Sequence, residues 1–174
     1  VERVVYRLTD LAGEVLFSVR EPEPYAALCT RLTLPAAVVL DRYPDAGPLA
    51  GLEAGLAAAA HELVFAVATD MPFVNPALIR HLLDLSEGYD AVVPLTPHGD
   101  TLEPEPLHAV YRRTCLPAIR AQLDAGRRRV VSFFDDIQVR YVTPEEVLPF
   151  DPALRSFVNV NTPEEWGELG MSNE

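Results

Sequence analysis

The sequence predicts an α/β layered domain in which strands and helices alternate along the chain. Strand-like and helix-like segments follow one another from the first residues to the last, which is typical of this class. Leu63–Ala68 is entirely apolar, as expected for a central strand covered on both faces. The 174 residues suit one domain, residues 1–174, with a sizeable core.

The first third of the chain predicts a helix before the first strand. Apolar residues at the i, i+3, i+4, i+7 spacing predict a helix over Val1–Leu11, with Gly13 where a C-cap glycine would lie. A strand over Val15–Val19, a weak helix over Tyr25–Leu32 and a strand over Ala36–Leu40 follow. A doubly wound fold ordinarily starts with a strand and a phosphate-binding loop. We therefore expect that a first strand and its loop are missing before residue 1.

The later segments keep the same alternation. Two helices have clear starts: Pro48 suits the first position of Pro48–Ala60, and Asn75 suits the N-cap of Asn75–Leu85. Further strands are predicted at Ala91–Val93, Leu107–Tyr111, Val139–Val142 and Ser156–Val160. Further helices are predicted at Arg113–Leu123, stopped near Gly126, and at Pro163–Leu169. Pro97–Pro106 is predicted to be an exposed loop, and Val130–Asp135 is ambiguous but compatible with a short helix.

Composition excludes several classes of function. The formal charge of −12 argues against nucleic-acid binding, which needs basic patches, but not against a nucleotide carried with a divalent cation. No apolar run is long enough to span a bilayer, and the first residues lack a signal-peptide layout, so we expect a cytoplasmic protein without a membrane partner. Cys29 and Cys115 form no metal motif and are interpreted as free thiols. All 14 basic residues are arginine, which excludes a lysine nucleophile within these residues.

Two aspartates follow predicted strands. Asp70 comes directly after the apolar strand, where ligands of open α/β sheets bind, and could hold Mg²⁺; it could equally only start a turn. Asp41 follows the strand that ends at Leu40 and could accept hydrogen bonds from a guanine or a ribose; a turn or a surface ion pair with Arg42 explains it equally well.

Glycines recur at every fourth position in the next helix. Gly47 and Gly51 lie near its N-terminus, where free N–H groups favour a ligand. Gly55 is better explained by tight packing of the helix on the sheet.

Three further groups have less specific patterns. Asn159 and Asn161 alternate along a predicted strand and could orient a polar ligand, whereas Thr162 and Glu165 form a capping box. Arg127, Arg128 and Arg129 could hold an anionic substrate or simply lie on a solvated turn. His108, beside an apolar run, is interpreted as a core histidine with satisfied hydrogen bonds.

The ordered set of motifs resembles the molybdenum cofactor guanylyltransferases. The segments that carry the resemblance are Asp41-Arg42-Tyr43-Pro44, Gly47-Pro48-Leu49-Ala50-Gly51, Asp70-Met71-Pro72, Ala125-Gly126-Arg127-Arg128-Arg129 and Phe157-Val158-Asn159-Val160-Asn161-Thr162-Pro163. The resemblance implies a Rossmann-like three-layer α/β/α sandwich of the nucleotidyltransferase type with a mostly parallel sheet. It also implies transfer of GMP from GTP to molybdopterin or its molybdenum form, with Mg²⁺ as cofactor. Other cofactor-biosynthesis proteins and molybdoenzymes are the implied protein partners.

The same resemblance assigns roles to residues. It implies that Asp70 is the catalytic, Mg²⁺-binding aspartate and that Asp41 belongs to the GTP site with Gly47 and Gly51. Ser18 stands where the family often has an asparagine near the nucleotide. Asn159 and Asn161 match asparagines of the pterin half of the cleft.

This sequence departs from the family at its start. The family opens with a strand, a glycine-rich loop and a lysine, none of which is present here. Two alternatives therefore stay open. One is a related enzyme, such as a molybdopterin cytidylyltransferase or a sugar-phosphate nucleotidyltransferase; the other is a non-catalytic module that binds pterin or nucleotide.

Overall fold

The computed structural model describes residues 1–43, 45–160 and 162, which form an α/β fold. The α-helices within this part of the chain are α1 (Glu2–Leu8), α2 (Glu23–Cys29), α3 (Pro48–Ala58), α4 (Pro76–Asp84), α5 (Leu116–Asp124) and α6 (Pro144–Val147). The strands are β1 (Val15–Val19), β2 (Ala36–Leu40), β3 (Leu63–Val67), β4 (Ala91–His98), β5 (Thr101–Pro104), β6 (His108–Arg112) and β7 (Val139–Val142). Short 3-10 helices cover Arg113–Cys115, Val130–Asp136 and Arg155–Phe157.

The strands form two sheets rather than one. In the small sheet β1 runs parallel to β2, with Val15 opposite Ala36 and Val19 opposite Leu40. In the large sheet β6 lies between β3 and β4 and is antiparallel to both, while β5 and β7 pair with β4. Within the large sheet only the β4–β7 pairing is parallel.

The expectation of a mostly parallel sheet is therefore not confirmed among the described strands, and the chain connections explain the antiparallel pairings. A parallel neighbour needs a crossover of a dozen or more residues, whereas β5 follows β4 through a short turn. The chain reverses direction at that turn, and β6 keeps the direction of β5, so both strands are antiparallel to β4. The Pro97–Pro106 segment, predicted as a loop, belongs largely to this hairpin.

The C-terminal part also differs from the sequence prediction. No strand forms over Ser156–Val160, because the carboxylate of Asp151 accepts the backbone N–H groups of Arg155 (3.0 Å) and Ser156 (2.7 Å) and fixes a 3-10 turn instead. Helix α6 was not predicted, although Thr143 and Glu146 form a capping box at its start. The helix predicted over Pro163–Leu169 and its capping box lie outside the described residues.

Helix α1 packs against both sheets. Val4 joins a cluster with Val74 and Ile79 beside the large sheet, whereas Val5 joins Phe17 and Leu28 beside the small one. On the opposite side, α3 contacts β1 and β2 and also contributes to the main core with α5. These two helices hold the sheets together.

Candidate active site

An open cleft of about 960 Å³ separates the two sheets. All five residues of β1 and all five of β3 line it. Because side chains alternate between the two faces of a strand, consecutive lining residues mean that the cleft runs along the edges of both strands. Apolar side chains of α1, including Val4 and Leu8, form another wall.

The two strands beside the cleft point in the same direction. At their amino ends, the backbone N–H of Ala60 donates to the side chain of Glu14 over 2.7 Å. A Cβ on Gly13 would lie 2.6 Å from the ring of His61, so a close approach, and not the predicted C-cap, explains this glycine. The carboxyl ends of β1 and β3 consequently share one mouth of the cleft, the position where open α/β sheets bind ligands.

Ser18 and Asp41 lie side by side at this mouth. The Ser18 hydroxyl donates a hydrogen bond of 2.8 Å to Oδ1 of Asp41, and both residues are half-buried. The parallel register of β1 and β2 produces this contact, because Asp41 follows directly after the pair formed by Val19 and Leu40. The bond fixes one carboxylate oxygen, and within the described part of the chain Oδ2 has no hydrogen-bond partner and could accept from a ligand.

The N-terminus of α3 faces the same place. Gly47 is its N-cap with a φ of +67°, a conformation that glycine adopts readily, and no side chain caps the helix. A Cβ on Gly51 would stand 3.3 Å from Oγ of Ser18 and 3.9 Å from Oδ1 of Asp41. The packing interpretation of Gly55 is wrong, since a Cβ there would meet nothing within 4 Å.

Asp70 completes the mouth from the large sheet. It lines the cleft together with Ser18 and Gly51, and its backbone carbonyl accepts the N–H of Val160 over 2.7 Å. Within the described part of the chain, no hydrogen bond or ion pair engages its carboxylate. The described residues also hold no group of three His, Cys, Asp or Glu side chains suited to a metal. A cation at Asp70 would thus take most of its ligands from a substrate and water.

The predicted asparagine pair is only partly described. Asn159 is exposed and precedes Val160, whose N–H bonds to Asp70, so its backbone lies close to the mouth. Asn159 lies in no strand, so the prediction that it shares one face of a strand with Asn161 is wrong for Asn159. Asn161 itself lies outside the described residues.

The three arginines after α5 do not act as one cluster. The side chain of Arg127 donates to Gln122, which in turn donates to Asp136 over 2.7 Å. The guanidinium of Arg128 donates to the backbone carbonyl of Asp45 over 2.6 Å. Arg129 is exposed. Sequence reasoning missed the contact of Arg128 because 83 residues separate its two partners.

His108 is a core residue, as predicted, but its hydrogen bonds are not satisfied. Its ring lies between Phe65 and Phe157, each 5.0 Å away between ring centroids. Neither ring nitrogen has a hydrogen-bond partner within the described chain, and burial lowers its pKa to about 4. The imidazole is therefore neutral at physiological pH.

Both cysteines are free thiols, as predicted. Burial, followed by the nearby Asp90 carboxylate, raises the pKa of Cys115 to about 12. No described helix is long and apolar enough to cross a membrane.

Parallel strand ends lie beside a helix N-terminus, the carboxylate of Asp70 lines the cleft, and that of Asp41 is bonded to Ser18, which also lines it; this arrangement is typical of an α/β nucleotide-binding domain. Residues 1–139 match the MobA-like NTP transferase domain, and the chain belongs to this family. A probable molybdenum cofactor guanylyltransferase of Methanosarcina mazei is 36% identical over 95% of this chain and 75% of its own length. A second protein of that name, from Pelotomaculum thermopropionicum, is 37% identical over 94% and 75%.

Solved structures agree with this assignment. Molybdopterin-guanine dinucleotide biosynthesis protein A from Archaeoglobus fulgidus has a TM-score of 0.75 at 27% identity, over 96% of this chain and 81% of that one. The 4-diphosphocytidyl-2C-methyl-D-erythritol synthase of Anaerococcus prevotii, at 16% identity and a TM-score of 0.67 over 95% and 82%, shares the fold alone. The nucleotidyltransferase type of the predicted fold is confirmed.

Proposed function

We propose that this protein transfers GMP from GTP to the terminal phosphate of molybdopterin, or of its molybdenum form, and releases pyrophosphate. The observation that carries the proposal is the convergence of the Ser18–Asp41 pair, the N-terminus of α3 and Asp70 at one mouth of the cleft. The names of the relatives, molybdenum cofactor guanylyltransferases, support the choice of nucleotide and acceptor. Proteins that supply or receive the cofactor are the proposed partners.

Asp41 would recognise the guanine base. Its Oδ1 is already bonded to Ser18, and its Oδ2 can accept the adjacent N1–H and N2–H₂ donors of guanine. Cytosine and adenine do not offer that pair of donors. Gly51, without a Cβ, leaves room for the base against this pair.

Asp70 would hold Mg²⁺ at the phosphates. A single unengaged carboxylate at the mouth fits an ion that binds one or two carboxylates and takes its remaining ligands from phosphates and water. When bound, Mg²⁺ neutralises charge on the triphosphate. The protein's own residues position the α-phosphorus for in-line attack by the pterin phosphate, so the reaction needs no covalent intermediate. Asn159, near Asp70, would contact the acceptor.

We further propose that a strand preceding α1 fills the cleft and leads into a phosphate-binding loop at the mouth. A five-residue strand is about 17 Å long, about 4.8 Å wide and about 10 Å thick, so it needs roughly 800 Å³. The cleft of about 960 Å³ has this size, and the edges of two strands that run in the same direction, β1 and β3, line it. The intact mass of the natural protein tests the idea: roughly 20 to 30 residues beyond 19.2 kDa support it, and 19.2 kDa rejects it.

A substrate panel tests the activity. Purified natural protein is incubated with molybdopterin, Mg²⁺ and either GTP, CTP or ATP, and pyrophosphate and the dinucleotide product are measured. We expect product with GTP, and a strong preference for GTP over ITP, which lacks the N2 amino group. Preference for CTP would replace this function by a cytidylyltransferase, and binding of Mg·GTP without turnover would indicate a non-catalytic module.

An Asp41 variant tests the base site separately. Asp41→Asn keeps the shape but loses the charge and one acceptor, so it should reduce the preference for GTP over ITP. Unchanged discrimination would remove Asp41 from the base site without affecting the proposed reaction.

A further inference from the structure

The loop between β2 and α3 contains two residues with positive φ angles. We define the base loop as Asp41–Tyr43 and Asp45–Gly47, since it joins Asp41 to the N-terminus of α3. Asp45 has a φ of +58° and Gly47 one of +67°. A left-handed conformation is costly for a residue other than glycine, so surrounding contacts must maintain it.

One such contact reaches the strained residue itself. The guanidinium of Arg128 donates to the backbone carbonyl of Asp45 over 2.6 Å. Because the contact is to the backbone, it fixes the peptide rather than a side chain. Arg20 also lies 3.7 Å from the Asp45 carboxylate, but both side chains are well exposed, and such pairs contribute little.

A second contact holds the loop through Tyr43. Its ring packs against the main core, and its hydroxyl faces Asp124 at the end of α5. Partial burial and then the Asp124 carboxylate raise the pKa of Tyr43. The hydroxyl thus stays protonated and able to donate to Asp124.

An ion pair joins helices α3 and α5 beside Tyr43. Glu53 of α3 is completely buried, and its Oε1 accepts a 2.8 Å hydrogen bond from Arg120 of α5. Oε2 of Glu53 has no hydrogen-bond partner within the described residues, so removing Arg120 would leave a buried charge unpaired, which is costly. The base loop therefore packs, through Tyr43, beside an α3–α5 contact that is costly to break.

We propose that Arg128 and Tyr43 are positioning residues that hold the base loop, and hence Asp41, in the geometry that selects guanine. The inference rests on the proposed function. It assigns the basic turn after α5 a role different from direct substrate binding, because one guanidinium N–H of Arg128 already donates to the backbone of Asp45. Neither residue needs to touch the nucleotide.

Hydrogen exchange of the free protein tests the loop without any substrate. In Arg128→Ala and Tyr43→Phe, we expect the backbone amide of Ala46, which donates to the carbonyl of Tyr43, to exchange several-fold faster, with the rest of the protein unchanged. Arg129→Ala, from the same turn, is the matched control and should exchange like the wild type. Faster trypsin cleavage after the exposed Arg42 in these variants would show by a second method that the base loop opens more easily. Unchanged loop exchange in both variants would overturn the proposal.

Kinetics then connect the loop to base selection. In the natural protein, both variants should raise KM for GTP about threefold to tenfold, the effect of one lost hydrogen bond, with kcat nearly unchanged. They should also lower the preference for GTP over ITP, and Arg128→Lys, which keeps a cationic donor group, should retain part of this preference. Arg80→Ala, on the exposed face of α4, is the activity control.

The outcomes separate the two proposals. A drop in kcat for Arg128→Ala with normal loop exchange would mean that Arg128 contacts substrate, which overturns the positioning role. A wild-type protein that does not use GTP would refute the proposed function, while the exchange experiment would still decide whether these residues hold the loop.

Discussion

Gly51 lies directly against Ser18: a Cβ on Gly51 would stand 3.3 Å from the Ser18 hydroxyl oxygen. Few real Cβ contacts are as short, so a side chain at this position would push the hydroxyl. The same hydroxyl holds Asp41 through a 2.8 Å hydrogen bond. The first turn of α3 is therefore coupled to the orientation of the carboxylate.

Substituting Gly51 should damage function without damaging stability. We expect Gly51→Ala to raise KM for GTP about tenfold by displacing Ser18 from Asp41. Alanine has a helix propensity about 1 kcal/mol better than glycine, which offsets the crowding in the free energy of unfolding. Steady-state kinetics and urea unfolding measure the two effects.

Gly55→Ala is the matched control from the same helix. A Cβ there would enter open space, so we expect it to raise the free energy of unfolding by up to about 1 kcal/mol and to leave KM unchanged. Equal kinetic effects of the two substitutions would contradict the coupling through Ser18.

Asp70→Asn should remove most guanylyl transfer. Losing this carboxylate weakens Mg²⁺ binding at the phosphates, and we expect kcat/KM to fall by roughly 10²-fold or more, with partial recovery at high Mg²⁺. The melting temperature should not change, because nothing within the described chain engages the carboxylate. Asp84→Asn, at the exposed end of α4, is the control. Full activity of the Asp70 variant would exclude this residue as the metal ligand.

His108 should make the protein acid-sensitive. Its pKa is about 4 in the folded state, against an ordinary 6.5. Between these two pH values the unfolded chain therefore binds a proton at His108, whereas the folded protein does not. The free energy of unfolding should consequently fall as pH drops from 6.5 to 4, by up to about 3 kcal/mol from this residue, although nearby Asp151 opposes the shift. Urea unfolding at several pH values measures it.

A leucine at position 108 isolates that contribution from the carboxylates. His108→Leu should flatten the difference between pH 6.5 and 4, and His108→Phe provides a second apolar variant if leucine packs poorly. If wild type and both variants lose stability in parallel, His108 does not cause the acid sensitivity.

Cys115 should resist thiol reagents until the protein unfolds. Burial raises its pKa to about 12, and its thiol donates to the backbone carbonyl of Asp90. At pH 8 almost none of it is thiolate, the reactive form. We expect a slow phase in a thiol titration that becomes fast in urea and persists in Cys29→Ser. A fast reaction of that variant under native conditions would disagree with the buried position.

The sequence predicted the parts of the fold that depend on local signals. The N-cap of Asn75, the Pro48 start of α3 and the position of Asp70 after an apolar strand follow from a few neighbouring residues, and the structure has them. The family resemblance added the type of nucleotidyltransferase fold.

Features that depend on distant residues could not be predicted. The contact of Ser18 with Asp41 requires the parallel register of β1 and β2, and that of Arg128 with Asp45 joins segments 83 residues apart. Prolines at 97 and 104 argued against strands, yet the short β4–β5 hairpin accommodates them near the sheet edge. The carboxylate of Asp151 accepts hydrogen bonds from backbone N–H groups that a strand after Arg155 would have donated to a neighbouring strand.

Where no strand fills the cleft between the two sheets, the nucleotide would act as a structural crosslink between them. Asp41 directly follows β2 of the small sheet, whose apolar cluster contains, among the described residues, three buried side chains: Val5, Phe17 and Leu28. Asp70 follows β3 of the large sheet. A small cluster implies that the β1–β2 unit opens at a lower free energy than the rest. A nucleotide that touches both aspartates joins the sheets, so each tenfold rise of its concentration above Kd adds about 1.4 kcal/mol against that opening. Substrate would thus govern how long this half of the protein survives proteases.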